Sequence, residues 1–327
     1  MRVEPDAQQS AEERTALART TRSALARAEL HVTPAEATHP AIIEIAHLAQ
    51  HVGRADSPDR ERLDRLGRAL DRARGDIATA APTQLPWPVN PAAPAPHLAR
   101  SVARARKSLP KREGSTAAAP ESTVVPWLDH ECDTLRETVA LLAATWPGAH
   151  AELGEILAQI ALLEGPGIDG FTDFAVHGAV FIQRDRLAPA PDGLPGPVRL
   201  AEALVHEGTH TRCNAASVAG EPFLRPTPSD APLVTTPLRL DPRPLNGLFQ
   251  QVVVLARSVL LYRRLLDTGI DADAGTAGVA AAVRARRDEL TRSAEEGVRT
   301  LSDHRDALTD HGLSVLADAA DVVQVRV

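Results

Sequence analysis

The residues from 206 to 210 read His-Glu-Gly-Thr-His, which is the HExxH pattern. Two histidines four positions apart lie on one face of a helix, so a single metal ion can contact both imidazoles. Neutral imidazole is a good ligand for zinc, iron, nickel and copper. An apolar helical run, LAEALV, leads directly into the motif. His206 and His210 are therefore predicted metal ligands.

The local sequence does not identify a third protein ligand. The metzincin form of the motif would have a glycine where Cys213 stands and a third histidine where Ala216 stands, so that class of protease is excluded. Cys213 is expected to be a small buried residue. No histidine occurs between His210 and His304. The open candidates for a third ligand are Asp241, Glu221, His177 and His304.

Hydrophobic periodicity places the motif on a helix over about residues 197–216, ended by Gly220. A β-branched and aromatic run over 176–183 predicts a strand upstream. Residues 221–244 contain seven prolines and predict an irregular crossing. The apolar segment 245–267 predicts a buried helix that packs across the motif helix. Further helices are predicted near 127–145, 149–163, 277–300 and 304–320.

These elements predict an α+β fold that is mostly α-helical. A small antiparallel sheet near 174–184 is expected beside a zincin-like HExxH helix, with an N-terminal helical cap. The expected domains are an N-terminal helical segment (1–76), a Pro/Ala-rich linker with a basic stretch (77–125) and an HExxH metal-site domain (126–327). The basic stretch, residues 100–112, is either a solvated helix face or a contact for an acidic partner.

Composition narrows the classes of function. The chain has 327 residues, with 36 basic and 43 acidic side chains and a net charge of −7, which argues against general nucleic-acid binding. No run of about 18 apolar residues predicts a membrane span, and no secretory signal is visible. Two cysteines cannot form a disulfide framework, so we expect a cytoplasmic protein.

Five segments occur in a characteristic order along the chain. They are Trp146-Pro147, FTDFAVHGAVFIQ (171–183), LAEALVHEGTHTRCNAA (200–216), LDPRPLNGLFQQ (240–251) and ALTDHG (307–312). Together, over about residues 124–320, they resemble the HExxH-motif peptide-modification proteins, a family of 2-oxoglutarate-dependent peptide β-hydroxylases of ribosomal peptide biosynthesis.

The resemblance implies an Fe(II) centre that uses 2-oxoglutarate and O₂ to hydroxylate the β-carbon of a residue in a precursor peptide. His206 and His210 would hold the iron, and Glu207 would orient a ligand. Arg243 is the candidate to bind the 2-oxoglutarate carboxylate, because a planar guanidinium matches a carboxylate bidentately. Alternatively, Arg243 is a structural arginine that holds the Pro-rich loop. Asn214, where relatives often have asparagine, is a second cofactor-binding candidate. Other peptide-modifying enzymes are possible partners.

Two alternatives remain. Relatives often have a histidine on the helix after DPRPL, where this chain has Gln250, Gln251 and Leu255, so it could be a non-catalytic peptide-binding homologue. In a zinc metallopeptidase, Glu207 would instead be the general base for zinc-bound water.

Asp241 is either the third ligand or the N-cap of the helix that follows it.

Overall fold

The computed structural model describes residues 1–52, 60–79, 87–108, 121–226, 233–268 and 277–326. Contacts within the chain divide it into two compact units. The bundle unit comprises Met1–Ser10, Asp129–Leu153 and Arg184–Val327, and the sheet unit comprises Ala11–Leu128 and Gly154–Gln183. The fold is α+β and mostly helical, as predicted.

The helices and strands are numbered in chain order. The helices are α1 (Ala7–Ala26), α2 (Pro40–Val52), α3 (Arg60–Thr79), α4 (Pro96–Ser108), α5 (Asp129–Thr145), α6 (Pro147–Ile156), α7 (Gly196–Ala219), α8 (Leu245–Asp267), α9 (Ala277–Ser302) and α10 (Asp310–Val323). The strands are β1 (Asn90–Pro91), β2 (Thr123–Val125), β3 (Gln159–Glu164), β4 (Gly170–Thr172), β5 (Ala179–Gln183), β6 (Val234–Thr236) and β7 (Arg239–Arg243).

The sheet unit contains a mixed sheet, with described strands in the order β1-β3-β5-β4 and β2 also paired with β3. Strands β3 and β5 run parallel, with Gln159 opposite Ala179. Their apolar runs, 160–163 and 179–182, are completely buried, as is typical of parallel strands. Strand β4 pairs antiparallel with β5. The antiparallel sheet predicted near 174–184 is therefore one edge of a mixed sheet.

The prediction of a single helix over 149–163 was wrong. Helix α6 ends at Ile156, and the following apolar residues form β3. A short apolar run fits a buried helix and a buried strand equally well, and here the long-range pairing with β5 selects the strand. The position of the sheet relative to the HExxH helix stays a prediction, because these elements belong to different units.

Part of the segment predicted as a linker is regular structure. Within residues 77–125, the described part contains β1, α4 and β2. Leu98 and Val102 of α4 pack with Leu163 and Phe181 of the sheet. The predicted basic stretch extends over 109–112, which lie outside the described residues. In its described part, two arginines form ion pairs within the protein. Arg100 and Arg104 both bind the buried carboxylate of Glu44 on α2, at 2.5 and 2.8 Å.

In the bundle unit, α8 is the central helix and contacts α5, α7, α9, α10 and the β6–β7 hairpin. The prediction that residues 245–267 pack against the HExxH helix is confirmed. By length and apolar content α8 could also cross a bilayer, but 72% of its most apolar window is buried, as expected of a core helix. The Pro-rich segment 221–244, of which 227–232 lie outside the described residues, includes the antiparallel hairpin β6–β7 and is not wholly irregular.

Candidate functional site

Helix α7 carries the HExxH motif through the interior of the bundle unit. It begins after Pro195, with a second proline in its first turn, and ends at Gly220, close to the predicted bounds. Glu207 is buried, and His206 and His210 are half-buried. The two imidazole centroids are 5.2 Å apart. The spacing therefore brings both rings to one partly accessible side of the helix, as one shared ion requires.

A side chain of α8 contacts the second histidine. His210 Nδ1 lies 2.8 Å from Gln250 Oε1, and Gln250 Nε2 donates to Asn214 Oδ1 at 3.1 Å. With the amide oxygen as acceptor, Nδ1 carries the imidazole proton and Nε2 keeps the lone pair that a metal ion needs. His210 thus presents Nε2 as the nitrogen that could bind a transition metal.

No complete three-ligand set is present in the part of the chain that the structure describes: no His, Cys, Asp or Glu joins the histidine pair. His304 lies at the N-cap of a short 3₁₀ turn, and the carbonyl of Glu221 accepts from His311 Nδ1 at 3.0 Å. His177 is buried in the sheet unit. The third ligand is therefore not assigned by the described residues.

Asp241 and Arg243 contact each other. Asp241 Oδ2 lies 2.6 Å from Arg243 Nη2, and both side chains are about one-third exposed (36% and 29%). Asp241 belongs to β7, and the N-cap of α8 is Pro244, so the interpretation of Asp241 as that cap was wrong. A cap must immediately precede the first helical turn, and the extended backbone of β7 places Asp241 too early.

Three buried polar atoms lie in the hairpin and in the first turns of α8. They are Thr236 Oγ1, Arg243 Nε and Gln251 Oε1, and none has a hydrogen-bond partner within the described residues. The Cβ of Arg243 lies 3.4 Å from the position that a Cβ on Gly247 would take, one turn before Gln251 on α8. Unpaired buried polar atoms are uncommon, and a polar ligand is one way in which they become paired.

Two buried charge networks anchor α7, and the sequence analysis did not identify them. Arg212, two residues after His210, is fully buried and lies 3.4 Å from the carboxylate of Glu152, which also binds Arg257 of α8. Burial by itself would raise the pKa of Glu152, but Arg257 and Arg212 hold it below its usual value. The sequence feature that could have indicated this network is Arg257, an arginine in the middle of the apolar α8 segment.

The second network lies at the other end of the motif. Glu202, one turn before His206, accepts from Tyr262 Oη of α8 at 2.6 Å and binds Arg286 of α9 at 2.5 Å. Burial and the adjacent carboxylate raise the pKa of Tyr262, so it remains a donor at neutral pH. Charged contacts therefore hold α7 both before and after the histidine pair, at Glu202 and at Arg212. These contacts restrict rotation and translation of the helix.

Cys213 is buried, as predicted, and burial raises its thiol pKa to about 12, which makes it a poor thiolate ligand. Comparison with known proteins adds no assignment: no protein-family model matches the chain, and no curated protein matches it.

Proposed function

We propose that this protein is an Fe(II)- and 2-oxoglutarate-dependent oxygenase that hydroxylates the β-carbon of a residue in a ribosomally made precursor peptide. The observation that supports this most directly is the histidine pair on α7, in which both side chains are half-buried and His210 Nδ1 contacts Gln250. The choice of iron and of a peptide substrate rests on the motif resemblance over residues 124–320.

Each site residue has a role in this proposal. His206 and His210 would hold the ion, and Asp241 is the candidate for a third ligand once its contact with Arg243 is exchanged. The bound ion would supply oxidative chemistry, in which O₂, 2-oxoglutarate and a C–H bond yield succinate, CO₂ and an alcohol. The buried Glu207 would orient a ligand from within the helix.

Arg243 would bind a carboxylate of 2-oxoglutarate. Its Nε is one of the three buried atoms without a partner in the described residues, so an N–H donor is available beside the Asp241 contact. Thr236 Oγ1, a buried hydroxyl of the same hairpin that has no partner in the described residues, is a further candidate donor to this anion. A guanidinium is a common binding group for a carboxylate, because its N–H donors match the two carboxylate oxygens.

A second candidate function is a non-catalytic peptide-binding protein. It is favoured by the absence of a three-ligand group in residues 1–52, 60–79, 87–108, 121–226, 233–268 and 277–326. In this case α7 would keep its motif for packing, and the histidines would bind no ion under physiological conditions.

The test is anaerobic metal loading of the full chain. Fe(II) is added to the metal-free protein, followed by 2-oxoglutarate, and the visible spectrum is recorded. A weak charge-transfer band that requires both additions would support the oxygenase. His206→Ala should abolish the band, whereas His130→Ala, at an exposed histidine of α5, should leave it unchanged.

The other outcomes discriminate between the alternatives. Tight zinc binding without such a band, together with peptide cleavage lost in Glu207→Gln, would favour a metallopeptidase. Failure to bind Fe(II) or Zn(II) at all would favour the non-catalytic protein.

A further inference from the structure

Gln250 lies between two residues of α7 that share one helix face. Asn214 follows His210 by four positions, so the two side chains are neighbours on the side of α7 that faces α8. The amide of Gln250 contacts both, at 2.8 Å from His210 Nδ1 and 3.1 Å from Asn214 Oδ1. One side chain from the central helix therefore joins the metal-site histidine to a second residue.

The direction of these hydrogen bonds has a chemical consequence. A glutamine amide has one donor end and one acceptor end. Because Asn214 Oδ1 accepts from the NH₂ group of Gln250, the oxygen of Gln250 is the end that faces His210. The imidazole must then donate from Nδ1, and its Nε2 is left unprotonated. A neutral imidazole in water prefers the opposite tautomer, so the protein has to impose this one.

We propose that Gln250 is a positioning residue that selects the Nδ1-protonated tautomer of His210 and fixes the orientation of its ring. Asn214 accepts from the opposite end of the Gln250 amide, and this contact favours the orientation in which the Gln250 oxygen faces His210. This role differs from the cofactor contact predicted for Asn214. The selection of the tautomer is inferred from the hydrogen bonds alone. Its consequence for metal binding rests on the proposed function.

The substitutions can separate positioning from packing. Gln250→Leu keeps the approximate size of the side chain and removes the acceptor. Gln250→Glu keeps an acceptor, and a turn of the Asn214 amide lets its NH₂ group donate to the same carboxylate. Asn214→Ala leaves the Gln250 amide free to turn. Asn246→Ala, at an exposed position of α8, is the matched control.

The first measurement is made on metal-free protein labelled with ¹⁵N-histidine, at pH 8, where a model imidazole is neutral. Long-range ¹H–¹⁵N correlations report the tautomer, and the signals lost in His210→Ala identify His210. We expect Nδ1–H in the wild type, in Gln250→Glu and in Asn246→Ala. We expect a shift toward Nε2–H in Gln250→Leu, and a partial shift in Asn214→Ala. An Nε2–H tautomer in the wild type would overturn the proposal without any variant having to fold.

The second measurement is the affinity for Zn(II) and Fe(II). Gln250→Leu should weaken binding by roughly 10- to 100-fold, as is typical when a residue that orients a metal ligand is lost. Gln250→Glu should restore most of that loss. Unchanged affinity in Gln250→Leu would refute the positioning role. If the wild type binds neither ion, the proposed function fails, whereas the tautomer result still decides the role of Gln250.

Discussion

The bundle unit and the sheet unit place their polar side chains in different ways. The bundle unit buries full charges in pairs around the HExxH helix, with Glu152, Arg212 and Arg257 each less than 5% exposed. Among the described residues of the sheet unit, the carboxylate of Glu44 is also buried, but the side chains of the two arginines that bind it are 54% and 40% exposed. Its buried polar residues instead include the histidines His97 and His177.

This difference indicates what each unit requires. Buried ion pairs add little net stability, but they impose geometry, because a slipped helix would leave an unpaired charge in the interior. Under the proposed function, that constraint would help α7 to hold the two imidazoles in fixed positions. The sheet unit takes its order from the paired strands β3 and β5, whose backbone hydrogen bonds set the register.

The largest expected effect is the loss of a buried charge in the bundle unit. Glu152→Ala leaves Arg212 and Arg257 buried without their common carboxylate, and we expect it to cost about 3–5 kcal/mol of unfolding free energy. Glu155→Ala is the matched control on the same helix, because its pair with Arg14 is partly exposed and should be worth about 1 kcal/mol or less. Urea unfolding measures both. Equal losses would mean that the buried network does not stabilise α7.

The next effect is acid sensitivity of the sheet unit. Burial is the main reason that the pKa of both His177 and His39 is lowered to about 4. A neighbouring histidine also contributes to lowering each pKa, His47 for His177 and His97 for His39. An unfolded histidine titrates near pH 6.5, so the unfolded chain takes up protons first. Stability is fully present above about pH 6.5 and is lost as the pH falls toward 4. For His177 the loss is about 3 kcal/mol over that window.

Hydrogen exchange of the β3 and β5 amides at pH 7 and pH 5, corrected for intrinsic rates, measures this loss. His177→Asn should remove the His177 contribution to the pH dependence and leave that of His39, whatever its effect on stability at pH 7. The exposed His130→Asn should leave the pH dependence unchanged. A wild-type protein with equal protection at both pH values would show that these imidazoles are not buried in the neutral form.

The smallest expected changes in stability come from substitutions of two glycines in the sheet unit. A Cβ on Gly154 would lie 2.9 Å from Trp87 Nε1, so Gly154→Ala should destabilise the unit by about 1–3 kcal/mol. A Cβ on Gly75, within α3, would have no atom within 4 Å, so Gly75→Ala should stabilise it by up to about 1 kcal/mol. Thermal unfolding of both variants tests the packing of α6 against Trp87, and opposite signs are the expected result.

Local patterns were sufficient to predict α7, α8 and α9. Each has continuous helical periodicity and a proline or glycine near an end, and these signals depend only on neighbouring residues. The spacing of His206 and His210 by itself placed both rings on one face, because four residues make about one helical turn. The burial of Cys213 was predicted from its residue type, because free cysteine is among the most buried residue types.

Only the tertiary structure decided the partners of these residues. The contact of Gln250 with His210, the shared carboxylate of Glu152 and the parallel pairing of β3 with β5 each join residues 20 to 105 positions apart. Periodicity in a single segment predicts which face is buried but not what lies opposite it, because the opposing atoms come from another part of the chain. The two metal-ligand candidates were therefore predictable from the sequence, whereas the contact of Gln250 with His210 depended on the packing of α8 against α7.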